Sequence, residues 1–156
     1  MSTTLPRMTY EAFTAAAPAA YAAMTAMGQA VDATGLDKGL TELMKVRASQ
    51  INGCAFCLQY HLTLARRLGV ASEKLDLVAT WREAGVFSER DMAALAWTEA
   101  LTRMQGVDDD LYREVRRHFS DGETVALTLA VAAINQWNRI GVALSFAPIL
   151  SKRGDK

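Results

Sequence analysis

Apolar residues recur three and four positions apart along nearly the whole chain, with no convincing two-residue alternation of the kind a half-buried strand shows. Alanine, leucine, methionine, glutamate, arginine and glutamine, all good helix formers, are frequent. The pattern predicts about seven helices. The first covers about Tyr10 to Met27 and restarts at Pro18. After a loop around "DATGLD", the second runs from about Asp37 to Ile51, with Asp37 as its N-cap. Asn52-Gly53 is a turn signal. A third helix, about Cys54 to Leu68, is closed by Gly69. Ser72 and Glu73 open a short fourth helix reaching about Thr80. Ser88, with Asp91 three residues on, begins a fifth that ends near Met104. The sixth spans Asp108 to Phe119. Asp121 is read as the cap of a long seventh helix, about Glu123 to Phe146, stopped by Pro148. Short connections between these elements predict one all-α, bundle-like domain over residues 1–156, with residues 1–35 as an N-terminal helical extension.

Composition narrows the classes of function. A chain of 156 residues, 51% hydrophobic, buries a core without a disulfide scaffold. Its 17 Lys and Arg balance 17 Asp and Glu, so nothing electrostatic argues for nucleic acid or a membrane surface as partner. No window approaches ~18 uninterrupted apolar residues, and "MSTTLPRMTYEAF" lacks the basic-then-apolar order of a signal peptide. The expectation is a cytoplasmic protein. In a reducing compartment, two cysteines three apart suggest redox or metal chemistry rather than a structural staple.

Both cysteines and one of the two histidines fall within "SQINGCAFCLQYH", residues 49–61. At about 100° per residue, Cys54, Cys57, Leu58, His61, Leu64, Ala65 and Leu68 share one stripe of the third helix, with Gln59, Thr63 and Arg66 on the other side. Cys-x-x-Cys at a helix start brings the sulfurs within disulfide reach. Cys57 and His61 are neighbours at i and i+4. Lowering a thiol pKa from about 8.5 by roughly two units takes about 2.7 kcal/mol, whereas a helix terminus supplies only ~0.3–1 kcal/mol. An adjacent imidazole is therefore needed, and His61 is the one near in sequence. His61 in turn needs an orienting acid. If Asn52-Gly53 folds the second and third helices into an antiparallel pair, Glu42 is the carboxylate at matching height. Local periodicity sets Glu42 opposite the Leu40/Met44/Ile51 stripe, however, and so reads it as solvent-facing. It meets His61 only if the second helix is buried on more than one side. Two other readings stay open at this point. The cysteines also suit two buried small side chains, or a zinc site completed by His61 and Glu42. His118 reads as a solvated helix residue, and Trp81, Trp97 and Trp137 as core. "NQWNRIG" suits a buried capping network, a pocket wall or a subunit interface.

The combination of Glu42, eleven intervening residues, and then Cys54, Cys57 and His61 in C-x-x-C-x-x-x-H spacing resembles the AhpD-like alkylhydroperoxidases of the carboxymuconolactone decarboxylase superfamily. "LTELMKVRASQINGCAFCLQYH", "LARRLGV" and "AALAWTEALT" extend the resemblance over most of the chain. It implies an all-α fold and a cytoplasmic thiol peroxidase acting on hydrogen peroxide or organic hydroperoxides, with no cofactor. Implied partners are a dithiol reductant, thioredoxin-like or lipoyl, and further copies of the chain in a trimer or hexamer. In these terms Cys57 attacks the peroxide, Cys54 resolves the sulfenic acid as a disulfide, His61 is the base, and Glu42 orients it or relays its proton. Phe56 departs from the family pattern, which has a further histidine between the cysteines in its best-known member; the proton path here is expected to be simpler. The superfamily's true decarboxylases lack the paired thiols, so their reaction is not expected. The rival function is a dithiol–disulfide carrier or redox sensor that exchanges electrons with a partner protein.

Overall fold

A computed structural model describes residues 6–150. Nine α-helices occur among the described residues: α1 (Tyr10–Ala16), α2 (Pro18–Asp32), α3 (Lys38–Asn52), α4 (Ala55–Arg67), α5 (Ser72–Leu77), α6 (Trp81–Ala84), α7 (Glu89–Arg103), α8 (Asp109–His118) and α9 (Asp121–Ala143). The expected helices are all there. The restart at Pro18 is a full break, because proline at N1 opens a new helix. A short 3₁₀ turn, Val78–Thr80, separates α5 from α6. Thr9, Asp37, Ser88 and Asp108 cap their helices through side-chain oxygens. One expected cap is corrected: Ser120, not Asp121, caps α9. The Ser120 hydroxyl accepts from the Glu123 N–H, and the Glu123 carboxylate accepts from the Ser120 N–H, so Asp121 is the first helical residue. That helix also stops at Ala143, short of Phe146.

α3 is the central element, packed against α4, α7 and α9. Its apolar residues divide among three core clusters. Leu40 and Met44 join Trp97, Phe119 and Leu127. Leu43 and Val46 join Leu75, Trp81 and Leu95. Ala48 joins the cysteines, Phe56, Ile134 and Phe146. A helix packed along three directions leaves its polar side chains buried or half-buried, and the buried ones must be paired internally.

They are. Arg47 donates to Glu99 of α7 at 2.7 Å. Ser49 Oγ accepts from Asn138 Nδ2 at 3.0 Å, and Asn52 Nδ2 donates to the side-chain oxygens of Asn135 and Asn138, both at 2.9 Å. This asparagine network ties the end of α3 to α9 and so fixes the turn that precedes Cys54. Within the described residues, no buried side-chain nitrogen or oxygen lacks a partner. Nor is any described helix long and apolar enough to cross a membrane.

Candidate active site

The site begins at the α3–α4 turn. Gly53 takes φ +68°, a left-handed conformation that favours glycine. The chain reverses there and Cys54 becomes the N-cap of α4, its sulfur accepting the Cys57 N–H at 3.3 Å. Cys54 and Cys57 are joined as a disulfide, with Cα atoms 5.3 Å apart, and both are buried.

One turn further along α4, His61 Nδ1 lies 2.6 Å from Glu42 Oε2. Glu42 is fully buried, against the outward orientation that its local periodicity suggests. Its second oxygen accepts from Lys45 Nζ at 2.7 Å. Burial favours the neutral acid, but the hydrogen bond and charge of His61, together with Lys45, outweigh it and hold the carboxyl below the usual carboxylate range. An ionised Glu42 can only accept, so Nδ1 carries the proton and Nε2 is left as the basic nitrogen. Both carboxylate oxygens are thus committed to His61 and Lys45, and Glu42 is not disposed as a fourth zinc ligand.

Cys57, His61, Glu42 and Lys45 line a cavity of about 330 Å³. Cys54 does not line it, so among the described residues the cavity reaches the disulfide at Cys57. Aromatic residues also line the cavity. Tyr10 stacks on Phe56 with ring centres 5.2 Å apart, and Trp137 meets the edge of Tyr21 at 6.3 Å. Tyr10 Oη donates to Tyr21 Oη at 3.4 Å. Burial first, then this contact with Tyr21, pushes the Tyr10 phenol well above the ordinary tyrosine range, so it remains a neutral donor.

The four residues singled out by spacing therefore come together. Apart from Phe56 on α4, the aromatic wall is not legible in sequence, because α1, α2 and α9 supply it from distant parts of the chain. Of Tyr10, Tyr21 and Trp137, only Trp137 stands out in sequence, as core or, within its motif, as a pocket wall. It is half-buried and lines the cavity, whereas Trp81 and Trp97 are core. Leu68, placed on the apolar stripe of α4, is exposed where the helix ends. His118 is half-buried and paired with Glu114 at 3.1 Å on α8, rather than freely solvated.

Comparisons with known proteins agree with this architecture. The sequence profile described as "Carboxymuconolactone decarboxylase family" matches residues 18–100. The uncharacterized protein YdfG of Bacillus subtilis (strain 168) is 35% identical over 130 residues, covering 82% of this chain and 88% of YdfG. Among solved structures, ATU0492 of Agrobacterium tumefaciens, a protein of unknown function named as a candidate AhpD antioxidant defence protein, is 38% identical with a TM-score of 0.88. That match covers 94% of this chain and all of ATU0492. The debrominase Bmp8 superposes with a TM-score of 0.74 over 81% of this chain and 69% of its own; at 20% identity, the likeness is one of fold alone. Carrying the paired cysteines, glutamate and histidine on an AhpD-like all-helical fold, the chain belongs to the carboxymuconolactone decarboxylase family.

Proposed function

We propose that the protein is a dithiol-dependent peroxidase that reduces organic hydroperoxides. The observation that carries this reading is the Glu42–His61 contact at 2.6 Å, one turn from Cys57 on the wall of a cavity. Because debromination occurs on the same fold, fold alone does not choose the reaction. The reading rests on the site.

In the reduced protein, His61 Nε2 takes the Cys57 proton, and ionised Glu42 stabilises the imidazolium that results. The thiolate attacks one peroxide oxygen, the O–O bond breaks, and the departing alkoxide takes the proton back as an alcohol. Cys57 is left as sulfenic acid. Cys54 attacks its sulfur, water leaves, and the disulfide forms. A dithiol reductant then returns two electrons. Both sulfurs are buried, which favours a small peroxide over a folded partner as the first reactant. The same restriction favours a lipoyl group on a flexible arm over a sulfur fixed on a thioredoxin-like surface. Assembly of identical copies into a trimer or hexamer and a cytoplasmic location belong to the same proposal.

The cavity bears on the choice of peroxide. A water-sized ligand takes about 30 Å³, a small part of the ≈ 330 Å³ available. Burying an aryl group against Phe56, Tyr21 and Trp137 is worth roughly 1.5–3 kcal/mol. Accordingly, kcat/KM with dithiothreitol as reductant is expected to be about ten- to a hundredfold higher for cumene hydroperoxide than for hydrogen peroxide. Cys57→Ser is expected to consume neither. Equal use of the two peroxides removes the organic preference; undiminished turnover by Cys57→Ser removes the peroxidase reading.

Of the two thiols, Cys57 is expected to be the more acidic. The neighbouring imidazole outweighs the helix terminus at Cys54. The pH dependence of alkylation in Cys54→Ser and Cys57→Ser measures this directly. A faster, more acidic thiol in the protein that retains only Cys54 reverses the assignment.

A further inference from the structure

We propose that Gly141, on α9, is a positioning residue for the Cys54–Cys57 pair: its missing side chain is the space that lets the disulfide close. Gly141 is buried inside a helix, where glycine costs about 1 kcal/mol relative to alanine, so its presence there calls for a reason. A Cβ at this position would lie 2.8 Å from Cys54 Sγ, 3.3 Å from Cys57 Sγ and 3.7 Å from Phe146 Cδ2. The first distance is well inside van der Waals contact. The Trp137 carbonyl, one turn earlier on α9, lies 3.8 Å from Cys57 Sγ. The Trp137–Gly141 turn is thus a floor beneath both sulfurs, and it can approach so closely because residue 141 has no side chain. Gly122, on the same helix, has nothing within 4 Å of its virtual Cβ.

The crowding depends on oxidation state. In the dithiol, Cys54 can rotate about χ1 to another staggered well and carry its sulfur clear of a new methyl group. In the disulfide, that sulfur is bonded to Cys57 and cannot leave. A Cβ at 141 therefore penalises the oxidised form and spares the reduced one.

The inference rests on the reading of this pair as a redox pair, but its test needs no peroxide. Protein disulfide and dithiothreitol exchange to protein dithiol and cyclic oxidised dithiothreitol, with two electrons and two protons passing to the protein. Gly141→Ala is expected to lower the equilibrium proportion of disulfide to dithiol about tenfold, or about 30 mV for this two-electron couple. Gly122→Ala is expected to stay within threefold of wild type. A ratio within threefold of wild type for Gly141→Ala overturns the proposal.

If Gly141→Ala does not fold, Cys54→Ala/Gly141→Ala decides the matter, because Cys54→Ala removes the nearest obstructing atom. A folded double variant, with a thermal midpoint at or above that of Cys54→Ala, supports the proposal. A double variant that is unfolded or less stable than Cys54→Ala overturns it. Should peroxide fail to oxidise the wild-type pair while the dithiothreitol ratio shifts as expected, the peroxidase reading falls and the role of Gly141 stands.

Discussion

His61→Ala is expected to slow single-turnover oxidation of Cys57 by cumene hydroperoxide by about 10²–10⁴. The variant loses the base that takes the thiol proton and the acid that returns it to the alkoxide. Glu42→Gln is expected to cost less. The amide oxygen can still accept from His61 Nδ1 and hold the ring, but without a negative charge it no longer stabilises the imidazolium. Since Glu42 acts through His61, the two losses should not add, and the double variant should resemble His61→Ala. Circular dichroism serves as the folding control, because Glu42 is fully buried and also holds Lys45. A Glu42→Gln rate equal to wild type at every pH would leave Cys54, Cys57 and His61 as the whole of the machinery, despite the 2.6 Å contact.

The largest expected effect on stability lies outside the site, at Glu99. This buried carboxylate accepts from Arg47 at 2.7 Å, Arg82 at 2.8 Å, Arg103 at 3.0 Å and Trp81 Nε1 at 3.1 Å. It joins α3, α6 and α7 around the second core cluster. Burial opposes its ionisation, but the hydrogen bonds from Arg82, Arg47 and Trp81 prevail and hold its pKa at about 2. The folded value lies below the ordinary 4.5. Its contribution is therefore complete above about pH 4.5 and is lost as pH falls towards 2. Glu99→Gln is expected to lose roughly 3 kcal/mol at pH 7, which is about 6–12 °C in Tm for a chain of this size. It should also show a shallower loss of stability between pH 5 and 2 than wild type. Urea unfolding at pH 7 and pH 3 measures both quantities. Equal stability at pH 7, or an unchanged acid slope, would mean that the arginines find adequate partners without Glu99.

Much of the architecture was legible in sequence because its causes are local. Asp37 and the Ser88/Asp91 pair mark helix starts through bonds made within one turn. Asn52-Gly53 marks the reversal because glycine readily adopts the left-handed backbone found there. The Cys54, Cys57 and His61 stripe follows from helical periodicity on one element. Glu42 was legible by its height along α3, yet its direction was not. A single-helix pattern assumes one buried face, whereas α3 is enclosed by three clusters whose other members come from six other helices and the segments next to them. Ser120 and its neighbour Asp121 are both residue types that cap a helix, and only the reciprocal bond with Glu123 selects the serine. The tertiary structure alone decided the rest. Tyr10 and Tyr21 carry no mark of a cavity wall in their own segments, the segment of Trp137 leaves a pocket wall as one reading among several, and Gly141 carries no mark of a floor beneath two sulfurs. Each acquires its place from packing between helices remote in sequence. Periodicity reports which side of a helix is buried, but it carries no information about what that side will touch.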